Sequence, residues 1–127
     1  MPFYVTVGMR KTGFYVVNLE GRLDSNTYPI LEERVTPLLV SSTKALLFDM
    51  GELDYISSAG IRIVFIAKKA MSEHNGSFGM INLKPQIRKV FDIINALPEI
   101  TVFKNVEEAD RYLDIMQKRE IEKQEKS

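Results

Sequence analysis

The sequence predicts a single-domain α/β fold: a mixed β-sheet, made of an N-terminal antiparallel hairpin plus βαβ units, packed with about four helices. Three observations predict it. Residues 3–9 alternate, with Phe3, Val5, Val7 and Met9 on one face, and a glycine turn then returns the chain through a second strand-like run. Ala45-Leu46-Leu47-Phe48-Asp49-Met50 is nearly continuous in apolar residues, as in a central strand covered on both sides. Runs with helical spacing then alternate with short strand-like runs, giving the order β-β-α-β-α-β-α-β-α and parallel pairing through helical crossovers. A chain of 127 residues suits one domain.

Each element has a local reason. Lys11-Thr12-Gly13 supplies the hairpin turn, and Phe14 to Arg22 forms the returning strand. Gly21 and Asp24-Ser25-Asn26 break the pattern; these three polar residues are N-cap types, and Pro29 fits the first turn of a helix. Tyr28, Leu31, Val35, Leu38 and Leu39 carry its apolar stripe, and Pro37 should bend its last turn because it cannot donate to the Glu33 carbonyl. After the strand at 45–50, residues 51–56 read as a loop. A second helix opens near Ser58, presents Ile61, Val64, Ala67, Lys68 and Met71 along one side, and ends at Asn75-Gly76.

Ser77 to Leu83 is the next strand. Ile87, Val90, Phe91 and Ile94 make a third helix that stops near Leu97-Pro98. Thr101-Val102-Phe103 is a short edge strand. Asn105 with Glu108 is a capping-box arrangement for a last helix through Ala109, Tyr112, Leu113 and Met116. The organised domain covers residues 1–117, and 118–127 form a charged C-terminal extension read as solvated, fraying helix.

Composition narrows the function. Seventeen basic and seventeen acidic residues balance to zero net charge, with none of the basic excess of a nucleic-acid binder. There is no cysteine for disulfide, thiolate or cysteine–zinc chemistry. No window nears the roughly 18 apolar residues of a membrane span, and the start does not read as a signal peptide. The expectation is a cytoplasmic protein with no membrane insertion, metal or cofactor.

Catalytic patterns are weak. The only histidine, His74, falls at a helix end, where exposure beside the negative dipole end is expected. Asp49, Glu52 and Asp54 cluster before the serines, but their spacing matches no calcium or zinc pattern and reads as solvated or capping. Gly60 stands without the glycine series of a nucleotide cradle. The informative stretch is Asp54-Tyr55-Ile56-Ser57-Ser58-Ala59-Gly60-Ile61-Arg62, which puts two hydroxyls at a helix start. Amides there lack intrahelical acceptors and the helix dipole favours negative charge, so a phosphoserine would be well accommodated. Helix capping is the plainer reading of the same serines.

The segment LLFDMGELDYISSAGIRIVF resembles the phosphorylation-site region of STAS domains, the module of sulfate transporters and anti-sigma factor antagonists. VVNLEGRLDSNT and GMINLKPQIRKVFDIINAL are similar to other stretches of that family, so the resemblance spans about residues 3–117 and is nearest to the stand-alone antagonist type. The family pattern D-S-[ST]-G, aligned on Gly60, implies Ser58 as phosphoacceptor, with Ser57 in place of the aspartate and Ala59 in place of the following hydroxyl residue. Ser57 remains the second choice of acceptor.

The resemblance implies a partner switch that is not an enzyme. Unmodified, a surface around Asp24, Ser25, Tyr55, Ile56, Ser57, Ala59, Gly60 and Arg62 would dock on an anti-sigma factor with serine-kinase activity. Phosphorylation of Ser58 would release it and a phosphatase would reset it. The alternative is a non-switching accessory subunit of a membrane transporter ATPase, with Ser58 only a cap and interface residue.

Overall fold

A computed structural model describes residues 2–94 and 100–126. The elements are β1 (Tyr4–Lys11), β2 (Phe14–Leu23), α1 (Tyr28–Val35), a 3-10 turn (Thr36–Leu38), β3 (Ala45–Ile56), α2 (Ser58–Glu73), β4 (Ser77–Ile81), α3 (Pro85–Ile93), β5 (Thr101–Phe103) and α4 (Val106–Lys126). This is the expected order. The five strands form one sheet in the order β1-β2-β3-β4-β5, with β1 antiparallel to β2 and the remaining pairs parallel.

Strand alternation divides the sheet into two apolar faces. Leu46, Phe48 and Met50 of β3 point to the layer of α1, α2 and α3, where they meet Leu31, Val64, Ala67, Met71, Ile87 and Phe91. Ala45 and Leu47 point the other way, joining Phe14, Val16, Ile81 and Phe103 beneath Ala109 and Leu113 of α4. That two-sided burial is why β3 reads as a continuous apolar run. Arg10 and Lys11 of β1 pair with Asp110 and Asp114 of α4 at 2.7 and 3.3 Å, fastening the helix across the hairpin end.

Several expectations need correction. Residues 51–56 are not a loop: β3 runs through Ile56 and pairs with β2 across two register shifts, with Glu20 opposite Glu52 and Arg22 opposite Tyr55. Met9, expected on the half-buried face, is 62% exposed because the helical layer does not reach the hairpin tip. The strand at 77–83 ends at Ile81, since Asn82 takes a positive φ of 59°. Thr27, not the three residues before it, is the N-cap of α1. Pro37 behaves as expected: α1 stops at Val35 and the chain continues as the 3-10 turn. α3 ends at Ile93 with Ile94 as its C-cap, short of the expected stop near Leu97-Pro98, two residues that themselves lie outside the described ones.

Candidate functional site

The serine segment sits where the carboxyl ends of β2 and β3 feed their following helices, the end of a parallel sheet at which ligands are usually met. The Ser57 amide donates to the Leu23 carbonyl at 2.9 Å, so α2 starts only after β3 has been fastened to β2. Ser57 is the N-cap and Ser58 the first helical residue. The first intrahelical bond runs from the Ile61 amide to the Ser57 carbonyl at 2.9 Å, which leaves the amides of Ser58, Ala59 and Gly60 without intrahelical acceptors.

The two hydroxyl side chains occupy different environments. Ser58 is exposed. The Ser57 Oγ is buried, makes no capping bond and finds no partner among the described residues. The plainer sequence reading is thus met in position, since Ser57 is the N-cap, but without a side-chain capping bond. Ala59 is half-buried and Arg62 exposed, whereas Gly60 and Ile56 lie in the interior. A Cβ on Gly60 would stand 2.7 Å from Leu23 Cγ and 2.8 Å from Ile56 Cγ1. Ile56 and Gly60, both read from sequence as docking residues, instead shape the surface from beneath.

The neighbouring β2–α1 loop is held by its own polar groups. Asp24 Oδ1 accepts from the amides of Asn26 (2.9 Å) and Thr27 (3.1 Å). The Thr27 hydroxyl accepts from the Asp24 amide at 2.9 Å and donates to the Arg22 carbonyl at 2.7 Å. The Asn26 amide, helped by Thr27 and the charge of Arg22 against some desolvation, holds the Asp24 carboxyl below the usual carboxylate range. Asp24 thus organises the loop, and Ser25 beside it is exposed.

Two further contacts stiffen the rim. The Arg22 guanidinium lies 4.1 Å from the centre of the exposed Tyr55 ring. Lys84, at the start of α3, donates to Asp54 Oδ1 at 2.6 Å, and that bond raises the lysine's pKa. Sequence reading missed Thr27, Arg22 and Lys84 as site residues. Thr27 was discoverable as the hydroxyl three places after Asp24; the other two required the register of β2 against β3 and the placement of α3.

Hydrolytic chemistry has no support in this geometry. His74, expected to be exposed, is half-buried at the far end of α2, about 24 Å from Ser58 by helical rise. Its Nε2 lies 2.9 Å from the Thr43 carbonyl, so packing against the loop before β3, rather than solvent, sets its position. Asp49 Oδ1 accepts from the Gly51 amide and from Asn82, and Asp54 is paired with Lys84, so two of the three carboxylates are spent on local structure while Glu52 is exposed. Among the described residues no three acidic, histidine or cysteine side chains are placed to hold a metal, and no helix is long and apolar enough to cross a membrane.

Comparison with known proteins points one way. The family model described as "STAS domain" matches residues 9–109. A putative anti-sigma factor antagonist, BtrV of Bordetella bronchiseptica, is 33% identical over 81 residues, 64% of this chain and 70% of that protein. The anti-sigma factor antagonist SpoIIAA in its unphosphorylated form superposes with a TM-score of 0.75 at 19% identity, over 87% of this chain and 97% of that one. The Bacillus cell-fate determinant SpoIIAA in its phosphorylated form gives 0.69 at 19% identity, over 86% and 99%.

Proposed function

Since the chain belongs to the STAS domain family, we propose that it is an anti-sigma factor antagonist working as a phosphorylation-controlled partner switch, with Ser58 as the acceptor. One observation carries this reading: the Ser58 hydroxyl is open to solvent at the start of a sixteen-residue helix, while the Ser57 Oγ beside it is sealed. A kinase needs a reachable hydroxyl, and of the two adjacent serines only Ser58 offers one.

In the unmodified state, the exposed groups of this end (Ser25, Tyr55 stiffened by Arg22, Ser58 and Arg62) dock on an anti-sigma factor that is also a serine kinase. Phosphorylation adds between one and a half and two negative charges at neutral pH. The free amides of Ser58, Ala59 and Gly60 and the helix dipole receive part of that charge, so the domain stays folded. The partner, packed against this surface, meets a desolvated dianion where a small hydroxyl had been. Taking a complex from nearly all bound to nearly all free requires a differential of about 5.5 kcal/mol, within reach of one buried unpaired phosphate. A phosphatase reverses the change. The exchange takes place in the cytoplasm, where ATP and kinase meet it, and this chain itself catalyses nothing and uses no cofactor.

The test is incubation with the cognate serine kinase and ATP, followed by intact-mass measurement, peptide mapping and gel filtration of the mixture. One phosphoryl group on Ser58, with loss of the co-eluting complex, is expected. Uptake at another residue, or a complex that survives full modification of Ser58, would overturn the switch. The second outcome would favour the constitutive transporter subunit.

A further inference from the structure

Arg62 lies four residues beyond Ser58 on α2, and both side chains are exposed. Residues so spaced face the same way, with Cβ atoms about 5–6 Å apart, and an anion placed N-terminal to its cation is the favourable order. Gly60, Ile63 and Val64 take the buried side of the same turns. Arg62 makes no hydrogen bond or ion pair with any described residue. Arg22 and Lys84 of the same rim are engaged, Arg22 over Tyr55 and Lys84 on Asp54. The nearby carboxyl of Asp24 is turned to the amides of Asn26 and Thr27.

Given Ser58 as acceptor, which is the reading proposed above, we infer that Arg62 is an internal clamp for the phosphoserine: its guanidinium donates back along one turn to the phosphate oxygens and holds the dianion on α2. Planar guanidinium groups pair with phosphate through two parallel bonds, and the unpaired amides of the helix start lie close by. The consequence is a double withdrawal. Modifying Ser58 removes a hydroxyl from the docking surface and also draws in a cation that no described residue engages, so a partner carboxylate that met Arg62 loses its counter-charge in the same event.

The experiment installs phosphoserine co-translationally at position 58, which makes it independent of any kinase, and follows the second phosphate ionisation by 31P NMR. With Arg62 present, that pKa should lie roughly 0.2–0.4 unit below its value in Arg62→Gln. Arg62→Lys should restore part of the difference, and added salt should shrink it. Arg88→Gln, which removes an exposed cation from α3, should leave the value unchanged. The groups facing the phosphate from neighbouring elements are Arg22 and Tyr55 from the sheet, Asp24 from the β2–α1 loop, and the Asp54–Lys84 pair; none differs between these variants. Equal pKa values in the unsubstituted protein and Arg62→Gln, or an equal change from Arg88→Gln, would overturn the clamp. Failure of the kinase mapping would overturn the switch and leave this measurement intact.

Discussion

The backbone of Gly60 is pressed against the side chain of Leu23: a methyl group added at Gly60 would lie 2.7 Å from Leu23 Cγ. Ile56 Cγ1 stands as close, at 2.8 Å, so two buried side chains or the helix start would have to shift. Gly60→Ala is therefore expected to destabilise the fold by about 1–3 kcal/mol through overpacking. Urea unfolding should show a lower midpoint at unchanged slope. Weakened partner binding should accompany it, because the displaced turn carries Ser58.

Ser57 leads to the opposite expectation. Its buried hydroxyl has no partner among the described residues, and an unsatisfied buried hydroxyl costs about 1–3 kcal/mol. Ser57→Ala should raise stability by about 1 kcal/mol, read as a higher urea midpoint, while leaving phosphate uptake intact. Ser58→Ala should leave stability within about 0.5 kcal/mol, as for an ordinary exposed position, and abolish uptake. Reversed labelling in this pair would transfer the acceptor role to Ser57.

Asp24 gives the β2–α1 loop a signed pH dependence. Its pKa is lowered in the folded state, chiefly by the Asn26 amide, so its contribution is fully present above the unfolded value near 3.9 and is lost as pH falls through the folded one. Asp24→Asn keeps an acceptor oxygen but cannot titrate. The stability difference between the native chain and this variant should be largest near neutrality and shrink below about pH 4. Paired urea titrations at pH 7 and pH 3 check it.

The described anchors of α4 all precede residue 118. Ala109 and Leu113 close the second core, and Asp110 and Asp114 reach β1. Deleting 118–127 leaves these anchors in place and should shift the unfolding free energy by less than about 0.5 kcal/mol. Leu113→Ala, by contrast, should cost about 2–5 kcal/mol. Thermal melts of the two variants would separate tail from anchor.

The residues that betrayed their structure in sequence did so through regular periods. The strand at 45–50, the helix opening near Ser58 and the Asn105 cap were legible because each depends on neighbours within a turn; the Glu108 amide indeed donates to Asn105 Oδ1 at 2.9 Å. The second half of β3 was hidden by its irregular register. Asn18 and Glu20 face Asp49 and Glu52, and Gly21 and Arg22 face Leu53 and Tyr55, so β3 carries an extra residue at each shift. The buried Leu53 and Ile56 then fall three apart rather than two, and the alternation that marks a strand disappears. His74 was misread for a different reason: its partner is a carbonyl thirty-one residues away, which no local pattern encodes. In the site, sequence located the helix start and the family pattern preferred Ser58 to Ser57, but the burial of the Ser57 hydroxyl depends on packing that no local pattern encodes.

The outer strand β1 would ordinarily be an invitation, a row of backbone groups waiting for another sheet. Here the Val5 carbonyl already accepts from Arg34 Nη1 of α1 at 3.1 Å. A second molecule wishing to extend the ribbon would first have to evict that side chain. The same side chain that ties α1 to the sheet thereby guards this flank against copies of the chain zipping together along it.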